Sequence, residues 1–237
     1  MQTFEGQQVL VVGGTSGVGL AAAAGFAAAG AEVTVVSRSR EKVDEALKSL
    51  GDRAHGRTLD IRDDEQVDRF LAAAGAFDHV VVSAGVTPTG RADTLPLPDA
   101  YAAMDSKFWG AYRISRQVSI RPGGSLTLVS GYLSVRPGRA SALQSAINAA
   151  LEALGRGLAL EFAPIRVNTI SPGLLDTPLW DGLPEASRES MFAATVQKLP
   201  VGRVGLPEDV AEAILYLAGN AHSTGTTLFV DGGGSIA

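Results

Sequence analysis

The sequence contains no cysteine. Disulfides and thiolate metal sites are thereby excluded, and the chain suits a reducing compartment, so a cytoplasmic location is expected. Aromatic residues are scarce, at 6%, while apolar residues make up 46% of the 237, so the core must be largely aliphatic. Positive charge is not in surplus. A net charge of −5 leaves no footprint for nucleic acid or an anionic membrane. Histidine is limited to His55, His79 and His222, which lack ligand or triad spacing, so no metal site is expected. The basic region of a secretory leader is missing too, because the first basic residue is Arg38. One uncharged stretch, Gln7 to Ala31, invites a membrane reading. It is interrupted by Gly13, Gly14, Gly17, Gly19, Gly25 and Gly30, whereas a span needs ~20 mostly apolar residues in one helix. A strand, a tight turn and an alanine-rich helix describe it better.

What is plentiful is glycine, 28 residues of it, set among short aliphatic runs. Val9–Val12, Val33–Val36, Val80–Val82, Leu126–Val129, Ile165–Ile170 and Leu228–Val230 read as strands. They are continuous apolar runs, as expected of strands covered on both faces. Helical patterns fall between them near 17–29, 40–50, 63–74, 98–119, 139–162 and 207–219. Strictly alternating elements predict a parallel sheet with right-handed crossovers. Gly30, Gly51, Gly75 and Gly219 stand where helices should stop, and Asp63 and Pro207 where they should start. No linker, repeat or composition shift divides residues 1–237, so one domain is expected. The segment 174–200, with Pro178, Trp180, Pro184 and Pro200, fits the alternation poorly. It reads as a loop or lid after a strand, apolar through Leu174, Leu175, Leu179, Trp180 and Met191, and suited to a small hydrophobic substrate.

The most informative motif is Gly13-Gly14-Thr15-Ser16-Gly17-Val18-Gly19, directly after a strand and opening a helix. Glycines let the main chain turn sharply and approach a pyrophosphate, while the helix start offers unpaired N–H groups and the positive end of the dipole. This context predicts dinucleotide binding by a Rossmann-like doubly wound parallel sheet of about seven strands with helices on both faces. The second strand ends in Ser37-Arg38-Ser39-Arg40. A carboxylate there would hold ribose hydroxyls; Ser37 removes that charge and Arg38 offers a planar fork for a 2′-phosphate. NADP(H) is therefore expected in preference to NAD(H).

Taken together, these stretches resemble the short-chain dehydrogenase/reductase family over nearly the whole chain. The T-G-x-x-x-G-x-G turn is matched from Val12 to Gly19, with Val12 replacing threonine. The adenine-contacting aspartate is matched by Asp60, next to Ile61, and the N-N-A-G stretch by Ser83-Ala84-Gly85. Ser171-Pro172-Gly173 and Thr177 resemble the loop that contacts the nicotinamide carboxamide. By this resemblance the cofactor contacts are Gly13, Thr15, Ser16, Gly17, Val18, Gly19, Ser37, Arg38, Asp60, Ile61, Ser83, Ala84, Gly85, Pro172, Gly173 and Thr177. It also implies a homo-oligomer, tetramer or dimer.

The resemblance fails at the reacting residues. The family uses Tyr-x-x-x-Lys on one helix, with a serine and an asparagine beside it. Aligning through Ser145-Ala146-Ile147-Asn148 puts Ala140 at the tyrosine and Gln144 at the lysine, and Lys107 falls at the asparagine. The serine is matched by Ser130. A positioned general acid contributes ~10²–10⁴ in rate, so its loss demands a substitute. Lys107 in a partly desolvated site would have a lowered pKa, and Tyr132 could bring a phenol to the same mouth. Ser130, Lys107, Tyr132 and Gln144 are thus the candidate catalytic residues of an atypical reductase acting on a carbonyl or imine. Two alternatives stay open: a dinucleotide-binding sensor or scaffold, and a non-redox enzyme on this fold.

Overall fold

Residues 3–85 and 87–237 are described by a computed structural model. Seven strands form one parallel sheet in the order β3-β2-β1-β4-β5-β6-β7. They are β1 (Gln8–Val12), β2 (Glu32–Ser37), β3 (Ala54–Thr58), β4 (Phe77–Val82), β5 (Ile120–Val129), β6 (Arg166–Pro172) and β7 (Thr227–Val230). The chain runs outward from β1 to β3, then returns to lay β4 on the other side of β1. The reversal lies between the carboxyl ends of β1 and β4, where doubly wound sheets open a crevice.

Eight helices cover the sheet among the described residues: α1 (Gly17–Ala28), α2 (Arg40–Leu50), α3 (Asp64–Ala74), α4 (Leu97–Met104), α5 (Gly110–Gln117), α6 (Ala142–Glu161), α7 (Glu185–Val196) and α8 (Pro207–Gly219). Alternation within β1 shows how the layers are filled. Val9 and Val11 pack on one side with Phe26 of α1 and Ile214 of α8. Leu10 and Val12 pack on the other with Ile114 of α5 and Leu151 of α6. Burying each such side chain stabilises the fold by roughly 1.5–3 kcal/mol. Both faces of the strand are dry, which is why its sequence is an unbroken aliphatic run.

One polar residue shares that interior. His79 of β4 is 5% exposed, with Nδ1 beside Ser125 Oγ and Nε2 beside Gln7 Oε1, both at 2.9 Å. Burial, reinforced by the Arg166 charge, pushes its pKa down to about 4. It is a neutral, fully engaged core histidine.

Helix starts follow the sequence signals: Asp63 accepts from the Gln66 N–H, and Pro207 opens α8. Gly30, Gly51 and Gly75 follow their helices in left-handed conformations, whereas Gly219 is simply the last residue of α8. β3 escaped the pattern because it is an edge strand, with only Gly56 of its Ala-His-Gly-Arg-Thr run buried. The expected helix over 98–119 is broken. α4 and α5 are separated by a π-turn at Asp105–Trp109, with i→i+5 bonding. The helix expected from residue 139 starts at Ala142. The 174–200 segment carries a 3₁₀ turn at Pro178–Trp180 and all of α7. Among the described residues no helix is long and apolar enough to cross a membrane, and no group of side chains is arranged to hold a metal ion.

Candidate active site

A cleft of about 500 Å³ runs along the carboxyl ends of the strands. Its floor is the turn after β1. Gly13 has φ +86° there, and a Cβ on it would lie 2.7 Å from the main-chain nitrogen of Ala84, so no other residue lets the β1 and β4 exits approach so closely. The Ser83 and Ala84 N–H groups both donate to the Val12 carbonyl, at 2.9 and 3.0 Å, locking the two exits together. The α1 N-terminus opens into the cleft with no acidic residue in its first turn, and the side chain of its N-cap, Ser16, makes no capping bond. An oxyanion placed there would meet main-chain donors and the dipole's positive end.

At the far end, past the tip of β2, stand Ser37, Arg38 and Lys42, the last two exposed. Asp60 beside them is held by Arg62 at 2.6 Å. That hydrogen bond keeps the Asp60 carboxyl below the ordinary range. Gly173, Thr177, Leu179 and Trp180 form the opposite wall, and Trp180 Nε1 donates to the Leu175 carbonyl at 2.9 Å. The expected cofactor residues line this cleft, apart from Pro172. Pro172 is buried at the end of β6 opposite Val230, behind the wall it was expected to form. Arg62, Lys42, Ser106 and Val129 line the cleft as well, and the family motifs do not mark them.

Next to the cleft lies a second cluster, made mostly of side chains. Lys107 sits in the π-turn, and a Cβ on Gly85 would come within 2.7 Å of its Cγ, so the lysine stem runs hard against the β4 exit. Its Nζ donates to the Ser130 carbonyl at 2.9 Å and to Asn148 Oδ1 at 2.7 Å. Burial holds its pKa down to about 8, against the opposing pull of Glu152. Among the described residues two of the three ammonium hydrogens are engaged.

The other candidates are placed differently. Ser130 joins Lys107 through its carbonyl, but its hydroxyl donates to Glu152 Oε1 at 3.0 Å. Tyr132 lies in a 3₁₀ turn, Tyr132–Ser134, with its ring toward Gly234, and it makes no hydrogen bond with this cluster. Gln144 uses both Nε2 hydrogens on Thr87, donating to its carbonyl at 2.9 Å and its hydroxyl at 3.0 Å. Gln144 Oε1 is buried without a partner among the described residues. A carbonyl can only accept, so the amide orientation is fixed. Ala140 corrects the assumed register. It is exposed in the turn before α6, so it cannot belong to an i, i+4 pair on that helix. Asn148 and Glu152 were missed. They lie on the inward stripe Asn148, Glu152, Gly155, Ala159 of α6, all buried, and a carboxylate on such a stripe was the available signal.

The chain matches the family model described as Enoyl-(Acyl carrier protein) reductase over residues 12–235. It is 33% identical to a short-chain dehydrogenase/reductase, ATR9, of Stachybotrys chlorohalonatus, with 98% of each chain covered. It is 34% identical to the cis-4-hydroxycyclohexanecarboxylate dehydrogenase of Sinomonas cyclohexanicum, again over 98% of both. A solved small-chain dehydrogenase in complex with NADPH superposes with a TM-score of 0.82 at 36% identity, covering 98% of this chain and 100% of that one.

Proposed function

The chain belongs to the short-chain dehydrogenase/reductase family, and from that membership we propose an NADP-dependent oxidoreductase that reduces a carbonyl or imine carbon with Lys107 as proton donor. The bond between Lys107 Nζ and Asn148 Oδ1, 2.7 Å long, carries this proposal. Gln144 and Asn148 stand one turn apart on α6, the spacing of the family's tyrosine and lysine, and Lys107 stands where the family has asparagine. On this reading asparagine and lysine have changed places between the α4–α5 region and α6, and the Lys107 amine is bonded to the Asn148 side chain.

The main-chain amides from Gly13 to Gly19 receive the pyrophosphate, Arg38 the 2′-phosphate, and the Thr177 loop the nicotinamide end. When bound, the nicotinamide supplies the hydride, a chemistry that is the cofactor's own. Among the described residues Lys107 keeps one hydrogen unengaged, and a pKa of about 8 matches proton donation near neutrality. Gln144 cannot take that role, since its amide hydrogens are bound to Thr87. The Leu179 and Trp180 wall suits an apolar substrate, and the exposed Tyr101, Trp109 and Tyr112 suit association of copies of this chain.

The test is turnover by Lys107→Met over a panel of ketones and cyclic imines with NADPH. Turnover should fall ~10²–10⁴-fold, as for loss of a general acid, with NADPH affinity nearly unchanged. Undiminished turnover removes Lys107 from the chemistry. A dinucleotide-binding sensor is the second reading, favoured by the engagement of the Ser130 hydroxyl with Glu152; it requires tight NADPH binding and no oxidation across the whole panel.

A further inference from the structure

Three hydroxyl groups from three separate elements meet on a single carboxylate oxygen beneath Lys107. Glu152 Oε1 accepts from Ser134 Oγ at 2.6 Å, Ser130 Oγ at 3.0 Å and Ser171 Oγ at 3.3 Å. Ser130 follows β5, Ser134 lies in the adjoining 3₁₀ turn and Ser171 lies near the end of β6. Glu152 itself is 7% exposed. A carboxylate taken this far from water loses more hydration than neutral hydroxyls restore, and it persists where a positive charge compensates it.

The compensating charge has to come from Lys107. From α6 the groups facing Lys107 are Asn148, which is neutral, and Glu152. The β5 exit presents the Ser130 carbonyl and the β4 exit presents Gly85. On its own π-turn Asp105 is engaged by Arg113 at 2.8 Å. Among the described residues facing Lys107, Glu152 is thus the one carboxylate left to act on the ammonium.

We propose that Glu152 is a positioning residue of the reacting end, pinning the β5 and β6 exits through three serines and holding Lys107 as an ammonium. The proposal rests on the assignment of Lys107 above. The carboxylate reaches no substrate. It acts by fixing the Ser130 carbonyl that receives Nζ, and by favouring the charged form of that amine.

The whole chain has four lysines, Lys42, Lys48, Lys107 and Lys198, so each ε-carbon can be followed by NMR through a pH titration. In the wild type Lys107 should titrate near 8. Glu152→Gln keeps the shape and removes the charge; the Lys107 midpoint should fall while the other three stay. The alkaline limb of the turnover profile should move to lower pH in step with it, which a purely structural role would not produce. An unmoved or raised Lys107 midpoint overturns the proposal. Should Glu152→Gln not fold, Glu152→Asp decides: drawing the carboxylate back by one methylene weakens its pull on the ammonium, so the Lys107 midpoint should fall there as well. A Lys107 midpoint that stays put in that variant refutes the coupling. Retained turnover in Lys107→Met would remove the donor role while leaving the Lys107 shift in the Glu152 variants as it is, so the two failures are distinguishable.

Discussion

The two ends of the cleft are built on opposite principles. The phosphate end, from Gly13 to Gly19 with Arg38 beyond it, is main chain and exposed cation. Its shape follows from one contiguous stretch whose glycines admit a conformation that side chains forbid. The reacting end is mostly side chain on side chain, with the Ser130 carbonyl as its main-chain member: Lys107 from the π-turn, Ser130 and Ser134 after β5, Asn148 and Glu152 from α6, Ser171 from β6. Each partner is drawn from a different part of the chain and is held by the others. An end made of backbone withstands substitution until the backbone is touched. An end made of interlocking polar groups changes character when two members trade places.

The sharpest way to break that comparison is the trade itself. Lys107→Asn should lower turnover ~10²–10⁴-fold. Combining it with Asn148→Lys should recover a measurable part, because the amine returns to the same location from the other helix. Two losses that merely multiply would mean the partners are independent. The phosphate end should fail differently. Gly13→Ala forces a side chain into φ +86° and toward Ala84, destabilising the fold by about 3 kcal/mol and abolishing dinucleotide binding; denaturant unfolding and calorimetry would report both.

The sheet beneath both ends supplies a pH prediction of similar size. His79 has a folded pKa of about 4 against an unfolded value of ~6.5. Between those values the unfolded chain holds the extra proton, so stability rises with pH and is lost on acidification from 6.5 toward 4, by about 3 kcal/mol. His79→Gln should flatten that part of the curve, and an unchanged slope would shift the acid sensitivity to other groups. The smallest effect belongs to the exposed cation. Arg38→Ala should weaken NADPH by ~1.5–3 kcal/mol, the range for a hydrogen bond to a charged group, and leave NADH nearly unaltered. Equal losses for both would divorce Arg38 from the 2′-phosphate.

The same contrast explains what could be read from the sequence. β1, the glycine turn and α1 are adjacent along the chain, and their backbone requirements leave a local signature. Dry strands announce themselves as aliphatic runs; β3, half exposed at the edge, does not. At the proposed reacting end the sequence led to an expected departure from the family pattern, but not to an arrangement. Lys107 was marked, while Asn148 and Glu152 were passed over because their meaning lies in partners about twenty to forty residues away. The register around Ala140 was misjudged by one helical turn, since the helical pattern was carried back to residue 139 while α6 starts at Ala142 behind its N-cap Ser141.

The widened turn at Asp105–Trp109 acts as a phase shifter. An ordinary helix advances ~100° per residue, so an extra residue in one turn swings everything downstream around the axis by about that angle. Here the swing lets Lys107 look inward while Trp109 and Tyr112 remain outside. Excising a single residue from this turn would rewind it to an unbroken rod and steer the amine away from Asn148.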